Sequence, residues 1–480
     1  EQARDASPDP FFADDVADRI YLGNFEEHFD RMGEVDWVLE AVLERMDVKR
    51  DVHARIEAHA RPDAVISTNT SGLPIHEIAE GRSEDFKGRL LGTHFFNPPR
   101  YQKLLEVVPT DRTEPSVVER VAQFGRLRLG KGIVVANDVP YFIGNRIGVF
   151  ALMEALRYYT EGAYTIEEID TLTGTLVGHP KSATFRTADL VGLDVMLDVA
   201  QNLSEKLEDD ERREAFEVPE ILQRLVDEGR LGEKTKAGFY KKEDGEIKSL
   251  DPDTFEYTSA EEEELGDLGD IWNAGGLSAR LNALYQDSGR AGRFFRDTTL
   301  ELLAYSANRI GEITDNPADV DRAIRWGFGW EKGPFQVWDT LGMETVRNGL
   351  ADHDLSVPAW VDDLDGDDGT FYRTSEGQRM VYLPDAEGYE PDPRPGDELN
   401  LAAVKQDEAN ELWTNDDAAL LDLGDGVALF EFRSKANTLG RDVMMGLREC
   451  IDRVEEDPGL RGLVVGNQGR NFSVGANLGE

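Results

Sequence analysis

With 480 residues the chain is too long for one ordinary domain, and a prior of about 100 to 200 residues per domain points to three or four. Its 96 acidic residues stand against 52 basic ones, 14 of them lysine, for a formal charge of −44, and no basic face remains for nucleic acid or an anionic membrane. Self-repulsion on this scale is relieved where salt shortens the Debye length to about 3 Å, so the composition fits a halophilic, salt-filled cytoplasm, and a single cysteine excludes an intrachain disulfide framework or Cys-rich metal site.

The N-terminal "EQARDASPDPFFADDVADRI" has neither an initiator methionine nor the basic and apolar regions of a signal peptide, and it reads as a chain that starts partway in. From 37 to 138, "DWVLEAV", "AVISTNT", "LLGTHFF", "LLEVV" and "GIVVAND" alternate with helical stretches such as "KRDVHARIEAHA". That alternation predicts an α/β layer with a largely parallel sheet. Ligands of such sheets sit beyond the carboxyl ends of the strands, where "LERMDVK", "TNTS" and "HFFNP" fall.

About seven residues join "GTHFF" to "LLEVV", too few for a parallel crossover, so these strands must be antiparallel if they are neighbours. A turn centred on Arg100 then sets His94 opposite Glu106. The pair suits a general base with its orienting carboxylate, but spacing alone favours a satisfied core histidine. Asn97, held extended by Pro98, is free either to meet a ligand or to cap a turn. "STNTSGL" at 67–73 offers hydroxyls and amides to a ligand, or an ordinary N-cap to the helix that follows. Asn145 in "IGNRIG" leaves the same choice open.

From Pro140 the period turns helical and a mainly α domain begins. "IGVFALMEALRYY", interrupted by Glu154 and Arg157, predicts one amphipathic helix rather than a membrane span. An internal repeat follows. Asp170, Gly178, Phe185, Asp189 and Gly192 match Asp321, Gly329, Phe335, Asp339 and Gly342 at offsets of 150 or 151, which predicts two copies of one module packed together. Between them "KAGFYKKEDGEI" reads as an exposed strand pair and "TSAEEEELGDLGD" as an acidic linker. Residues 363–399 carry a hairpin signal at Glu376-Gly377, and "GVALFEF", "DVMMGLRECIDRVEE" and "RGLVVGNQ" then predict strand, helix and strand, with Cys450 in the core.

"WVLEAVLERMDVK", "STNTSGLPIHEIAEGR", "LGTHFFNPPRYQKLLEVV" and "DVPYFIGNRIG", in this order, resemble the 3-hydroxyacyl-CoA dehydrogenase family over about residues 15 to 350, and "KAGFY" with the doubled module resembles its duplicated C-terminal domain. The resemblance implies an NAD-dependent oxidation of (3S)-3-hydroxyacyl-CoA to 3-ketoacyl-CoA in fatty-acid β-oxidation. His94 would take the hydroxyl proton and Glu106 would orient it. Ser71 and Asn145 would contact substrate, and Val42, Leu43, Glu44, Lys49, Ser71 and Asn97 would line the cofactor. The last 60 or so residues resemble the start of a crotonase-type enoyl-CoA hydratase/isomerase domain, "NQGRNFSVGANLGE" matching the loop whose N–H groups hold a thioester oxyanion, with Val474 as donor.

These readings give a partial Rossmann-type NAD-binding domain at 1–138 and a first helical C-terminal domain at 139–242. An acidic linker at 243–290, a second helical repeat at 291–362, a hairpin insertion at 363–417 and the start of the crotonase-type α/β domain at 418–480 complete the expected order. The partners it implies are acyl-CoA and a homodimer or thiolase-containing complex. Two departures stand out. No G-x-G-x-x-G follows a predicted strand, so the first βαβ and its phosphate loop are expected to precede residue 1, and the crotonase part is expected to be cut. A cofactor-less structural piece, or a hydratase or lyase with its chemistry beyond residue 480, are the rival readings.

Overall fold

The computed structural model describes residues 9–11, 13–259, 264–364, 369–375, 378–392, 399, 401–405, 407–469 and 471–477. The chain divides into two compact units, residues 1–372 with 381–390, and residues 373–380 with 391–480. Among the described residues no helix is long and apolar enough to cross a membrane.

In the first unit β1 (Trp37–Glu40), β2 (Val65–Thr68), β3 (Leu90–Phe95), β4 (Leu104–Pro109) and β5 (Gly132–Val135) form one sheet in that order. Strands β1, β2 and β3 run parallel, β4 reverses against β3, and β5 is parallel to β4. The central strands read as continuous apolar runs because both faces are covered. Val117 and Val121 of the helix Pro115–Leu129 pack on one face with Val65, Leu91, Leu105 and Val107. Leu104 and Val108 face the main core with Phe142 and Ile147. Strands β1 to β3 end at one edge, and the reversed β4 starts there.

The helix Gly144–Thr160 is not amphipathic as expected: it is buried on nearly every side. Glu154 lies inside, paired with Arg157 at 3.0 Å and Arg212 at 3.2 Å, so ion pairs rather than solvent neutralise it. The burial comes from the second copy of the repeat, whose helix Arg290–Asn308 packs along the first and stacks Tyr305 on Phe150 at 4.0 Å between ring centroids.

The repeat holds in hydrogen-bond detail. Asp170 accepts from the N–H groups of Thr184 and Phe185 and from the Tyr240 hydroxyl, and Asp321 accepts from those of Phe335 and Gln336 and from the Tyr372 hydroxyl. Asp189 takes the N–H groups of Phe239 and Tyr240, as Asp339 takes those of Phe371 and Tyr372. The glycine landmarks share positive φ as well, 80° and 72° at Gly178 and Gly329, 104° and 90° at Gly192 and Gly342. Phe371-Tyr372, expected inside an insertion, thus does for the second copy what Phe239-Tyr240 does for the first.

The stretch 243–290, expected to be a linker, is built at its described residues into folded elements. After β6 (Tyr240–Glu243) come β7 (Glu246–Leu250) and β8 (Tyr257–Ser259), each antiparallel to its neighbour, and the helices Gly269–Asn273 and Leu277–Gln286. Buried Leu250, Phe255, Leu281 and Leu284 anchor it, a sparse apolar set that the acidic composition masks. Residues 260–263 of the acidic run lie outside the described residues. β9 (Tyr372–Ser375) adjoins β10 (Gln378–Leu383), with β11 (Gly388–Pro391) beyond it, and the expected turn at 376–377 also lies outside the described residues.

In the second unit β12 (Glu411–Thr414), β13 (Ala418–Asp422), β14 (Val427–Phe432) and β15 (Gly462–Gly466) form a sheet in that order, with β14 and β15 parallel and the helix Arg441–Glu456 crossing between them. Cys450 sits in its core with Leu420, Phe430 and Val443, and burial pushes its thiol up to about 11.

Candidate active site

The antiparallel register places His94 directly opposite Glu106. His94 Nδ1 lies 2.6 Å from Glu106 Oε2, and both side chains are buried, the carboxylate completely. The other oxygen, Oε1, accepts from the backbone N–H groups of Ile143 at 3.0 Å and Gly144 at 2.7 Å, which open the long helix. Glu106 therefore does two things at once: it caps a helix N-terminus, where a negative charge is favoured, and it holds one imidazole nitrogen. Left-handed backbone at Tyr141 (φ 64°) and Phe142 (φ 51°) turns these N–H groups toward the carboxylate. The rings of Phe96 and Phe142 lie 4.7 and 5.7 Å from the imidazole and fix its plane. With Nδ1 engaged, Nε2 is the nitrogen left for a reacting group.

The remaining expected residues fall on the same sheet edge. Ser71 lies in the loop after β2, Asn97 two residues beyond β3, and Asn145 one residue past Gly144. Asn145 is not the cap of its helix, because Glu106 fills that role. The loop after β2 is not the cap of the next helix either: Asp138 accepts from the N–H groups of Ile75 and His76 at 2.7 and 2.8 Å. Glu44 draws the loop in, its Oε1 accepting from Thr70 Oγ1 at 2.5 Å, Ser71 N at 2.9 Å and Gly72 N at 3.2 Å. Gly72 is required here, since a Cβ would stand 2.5 Å from the Tyr141 ring.

Val42 is half-buried and Leu43 is 70% exposed at the carboxyl end of β1, an apolar ledge beside Glu44. Lys49, also expected in the cofactor lining, pairs with both Glu40 and Glu44. It is 1% exposed, with Nζ 2.9 Å from Glu40 Oε1 and 3.3 Å from Glu44 Oε2, because an ammonium this deep needs carboxylate partners. Glu44 links it to the ledge.

Sequence reasoning missed the group beneath. Glu40 accepts from Lys49, from Thr68 Oγ1 at 2.7 Å and contacts His53 Nε2 at 3.2 Å. Burial works against the Glu40 carboxylate, yet His53, Lys49 and Thr68 together bring it down to about 2. The signal was present as an acid ending an apolar strand, the same anomaly that marked Glu106. Asn69 was also passed over; its Oδ1 accepts from Phe95 N at 3.1 Å and pins the end of β3 beside the imidazole. Val474 lies in the second unit, after β15, and is exposed next to Gly475 at φ 99°.

Residues 2–139 match the family model described as 3-hydroxyacyl-CoA dehydrogenase, NAD binding domain, and residues 142–242 match 3-hydroxyacyl-CoA dehydrogenase, C-terminal domain. A protein of Bacillus subtilis named "Probable 3-hydroxyacyl-CoA dehydrogenase" is 41% identical over 460 residues, 96% of this chain and 58% of that protein. The chain thus spans little more than half the length of this relative. A Deinococcus radiodurans protein of the same name is 47% identical over 242 residues, 50% of this chain and 69% of that protein. The crystal structure of 3-hydroxybutyryl-CoA dehydrogenase from Escherichia coli K12 is alike in fold, with a TM-score of 0.52 and 23% identity over 68% of this chain and 79% of that one. The chain belongs to the 3-hydroxyacyl-CoA dehydrogenase family.

Proposed function

We propose that the His94 edge oxidises the 3-hydroxyl of a (3S)-3-hydroxyacyl-CoA to the 3-ketone in fatty-acid β-oxidation, with NAD as the cofactor. The observation that carries this reading is the buried His94–Glu106 pair with its carboxylate seated on two backbone N–H groups. NAD, when bound, supplies the acceptor for the hydride that leaves C3. The chain's own part is the proton. His94 Nε2 takes it from the 3-hydroxyl, and Glu106 keeps the proton on Nδ1 and faces the imidazolium that results.

Ser71 and Asn145 would receive the substrate oxygen and thioester region, and Asn97 the nicotinamide side. The exposed Leu43 beside Val42 and the anchored Glu44 fit a dinucleotide, giving apolar surface for a ring and a carboxylate for hydroxyls. The second unit is read as the start of a crotonase-type domain; its β14–helix–β15 crossover supports this, with the Val474 N–H as oxyanion donor. A homodimer or a thiolase-containing assembly goes with that reading.

The test is loss of absorbance at 340 nm with NADH and acetoacetyl-CoA, using the full-length gene product that contains these residues. Turnover lost on His94→Ala is the expected result. No turnover in the unmodified protein would favour a structural or hydratase role instead.

A further inference from the structure

A cavity of about 110 Å³ lies between the two copies of the helical module, one turn along the helix Gly144–Thr160 from Asn145. Gly148, Ala151 and Leu152 of that helix form one wall, Leu302 of the second copy the facing wall, and Phe328 and Trp330 stand at its border. Most of its polar side chains are engaged with neighbouring groups. Thr173 donates to Ile169 O, Thr184 to Thr173 Oγ1, Thr187 to Ser182 Oγ and Thr298 to Phe294 O. His179 spends its Nδ1 on Thr173 O at 3.0 Å and stacks on Trp330 at 3.7 Å. The wall is mainly methyl and aromatic, with Thr299 and the His179 ring among its lining residues.

Two aromatic rings lead from this space to the imidazole. Phe96 touches His94 at 4.7 Å between ring centroids, and Phe328, which borders the cavity, lies 6.3 Å from Phe96. Both rings lie on glycines one turn apart: a Cβ would stand 2.7 Å from Phe96 at Gly144 and 2.0 Å from Phe328 at Gly148. Phe328 is half-buried, lines the cavity and is followed by a backbone corner at Gly329, φ 72°.

We infer that this cavity receives the alkyl end of the acyl chain, with Phe328 as its gate, and that the site prefers acyl chains longer than four carbons. The inference rests on the dehydrogenase reading and deepens it by naming the substrate class. An apolar cavity of about 150 Å³ takes the six carbons of benzene, so 110 Å³ holds roughly four methylenes. Each methylene buried raises kcat/KM roughly fourfold.

The experiment compares 3-ketoacyl-CoA substrates of four, six, eight, ten and sixteen carbons in the full-length gene product. The expected result is a rise of roughly fourfold per methylene that levels off within about four added carbons. Ala151→Phe and, from the opposite wall, Leu302→Trp should each remove most of that rise, with folding checked by thermal unfolding. Calorimetry without cofactor gives a second readout: octanoyl-CoA should bind at least tenfold tighter than butanoyl-CoA, and Ala151→Phe should erase the difference. Equal kcat/KM and equal binding at all lengths, or a rise that survives both substitutions, overturns the inference while leaving the dehydrogenase reading intact. Failure of acetoacetyl-CoA to turn over at all overturns both.

Discussion

Substituting Glu106 by Gln changes one atom and no shape, which isolates what the carboxylate does. Its Oε1 accepts from two N–H groups, so an amide must keep its oxygen there and turn its NH₂ toward His94 Nδ1. A donor facing Nδ1 forces that nitrogen to accept, and the ring proton moves to Nε2. The imidazole then offers no lone pair to the 3-hydroxyl. An orienting acid replaced by its amide costs about 10⁴ in kcat in the best-studied base–orienter system, a serine protease. We expect a loss of roughly 10³ to 10⁴ in kcat here with KM little changed, since no substrate contact is removed. Stability should move by about 1 kcal/mol or less, because every hydrogen bond keeps a partner. The assay is NADH oxidation with acetoacetyl-CoA, joined to ¹⁵N NMR of the His94 ring for the tautomer. Retention of more than a tenth of kcat, or a proton still on Nδ1 in the variant, would refute the reasoning.

Lys49→Met strands Glu40 as a buried charge and should cost about 3 to 5 kcal/mol, largely recovered in the double variant with Glu40→Gln; urea unfolding checks both. Glu40 is held at about 2, below its unfolded value near 4.5, so its contribution is present above pH 4.5 and fades as pH falls toward 2. Asp170 runs the other way. Burial raises it to about 6 despite the two N–H groups and the Tyr240 hydroxyl that favour the anion. Its contribution is complete below its unfolded value of 3.8 and is lost as pH rises through about 6. The stability of the natural protein relative to Asp170→Asn should therefore fall by the order of 2 to 3 kcal/mol between pH 4 and pH 7, and a difference that is flat with pH would count against it. With a formal charge of −44, the unfolding midpoint should rise by on the order of 10 °C between 0.1 and 3 M KCl, and sodium perchlorate should not substitute fully.

Local rules carried the argument where chain connectivity leaves few options. The short connection between "GTHFF" and "LLEVV" compels an antiparallel pair, and the observed register of His94 opposite Glu106 is the one such a turn allows. The repeat was legible because the same hydrogen-bonding duties demand the same residues twice, Asp170 and Asp321 each serving two N–H groups and a tyrosine hydroxyl. Composition misled at 243–290, where acidic residues surround a few buried anchors such as Phe255 and Leu284.

The sequence by itself determined the pairing of His94 with Glu106, the order of strands and helices along the chain, and the duplication. Tertiary structure alone decided which polar groups pair with which across the sheet edge. Lys49, expected beside the cofactor, is seen to be the buried partner of Glu40, and Asn145 looked like a possible cap until Glu106 was found in that place. The physical reason is distance along the chain. Glu106 meets Gly144 across 38 residues and Glu40 meets Thr68 across 28, so no local period or spacing carries those contacts, and only the closing of the sheet edge brings them together.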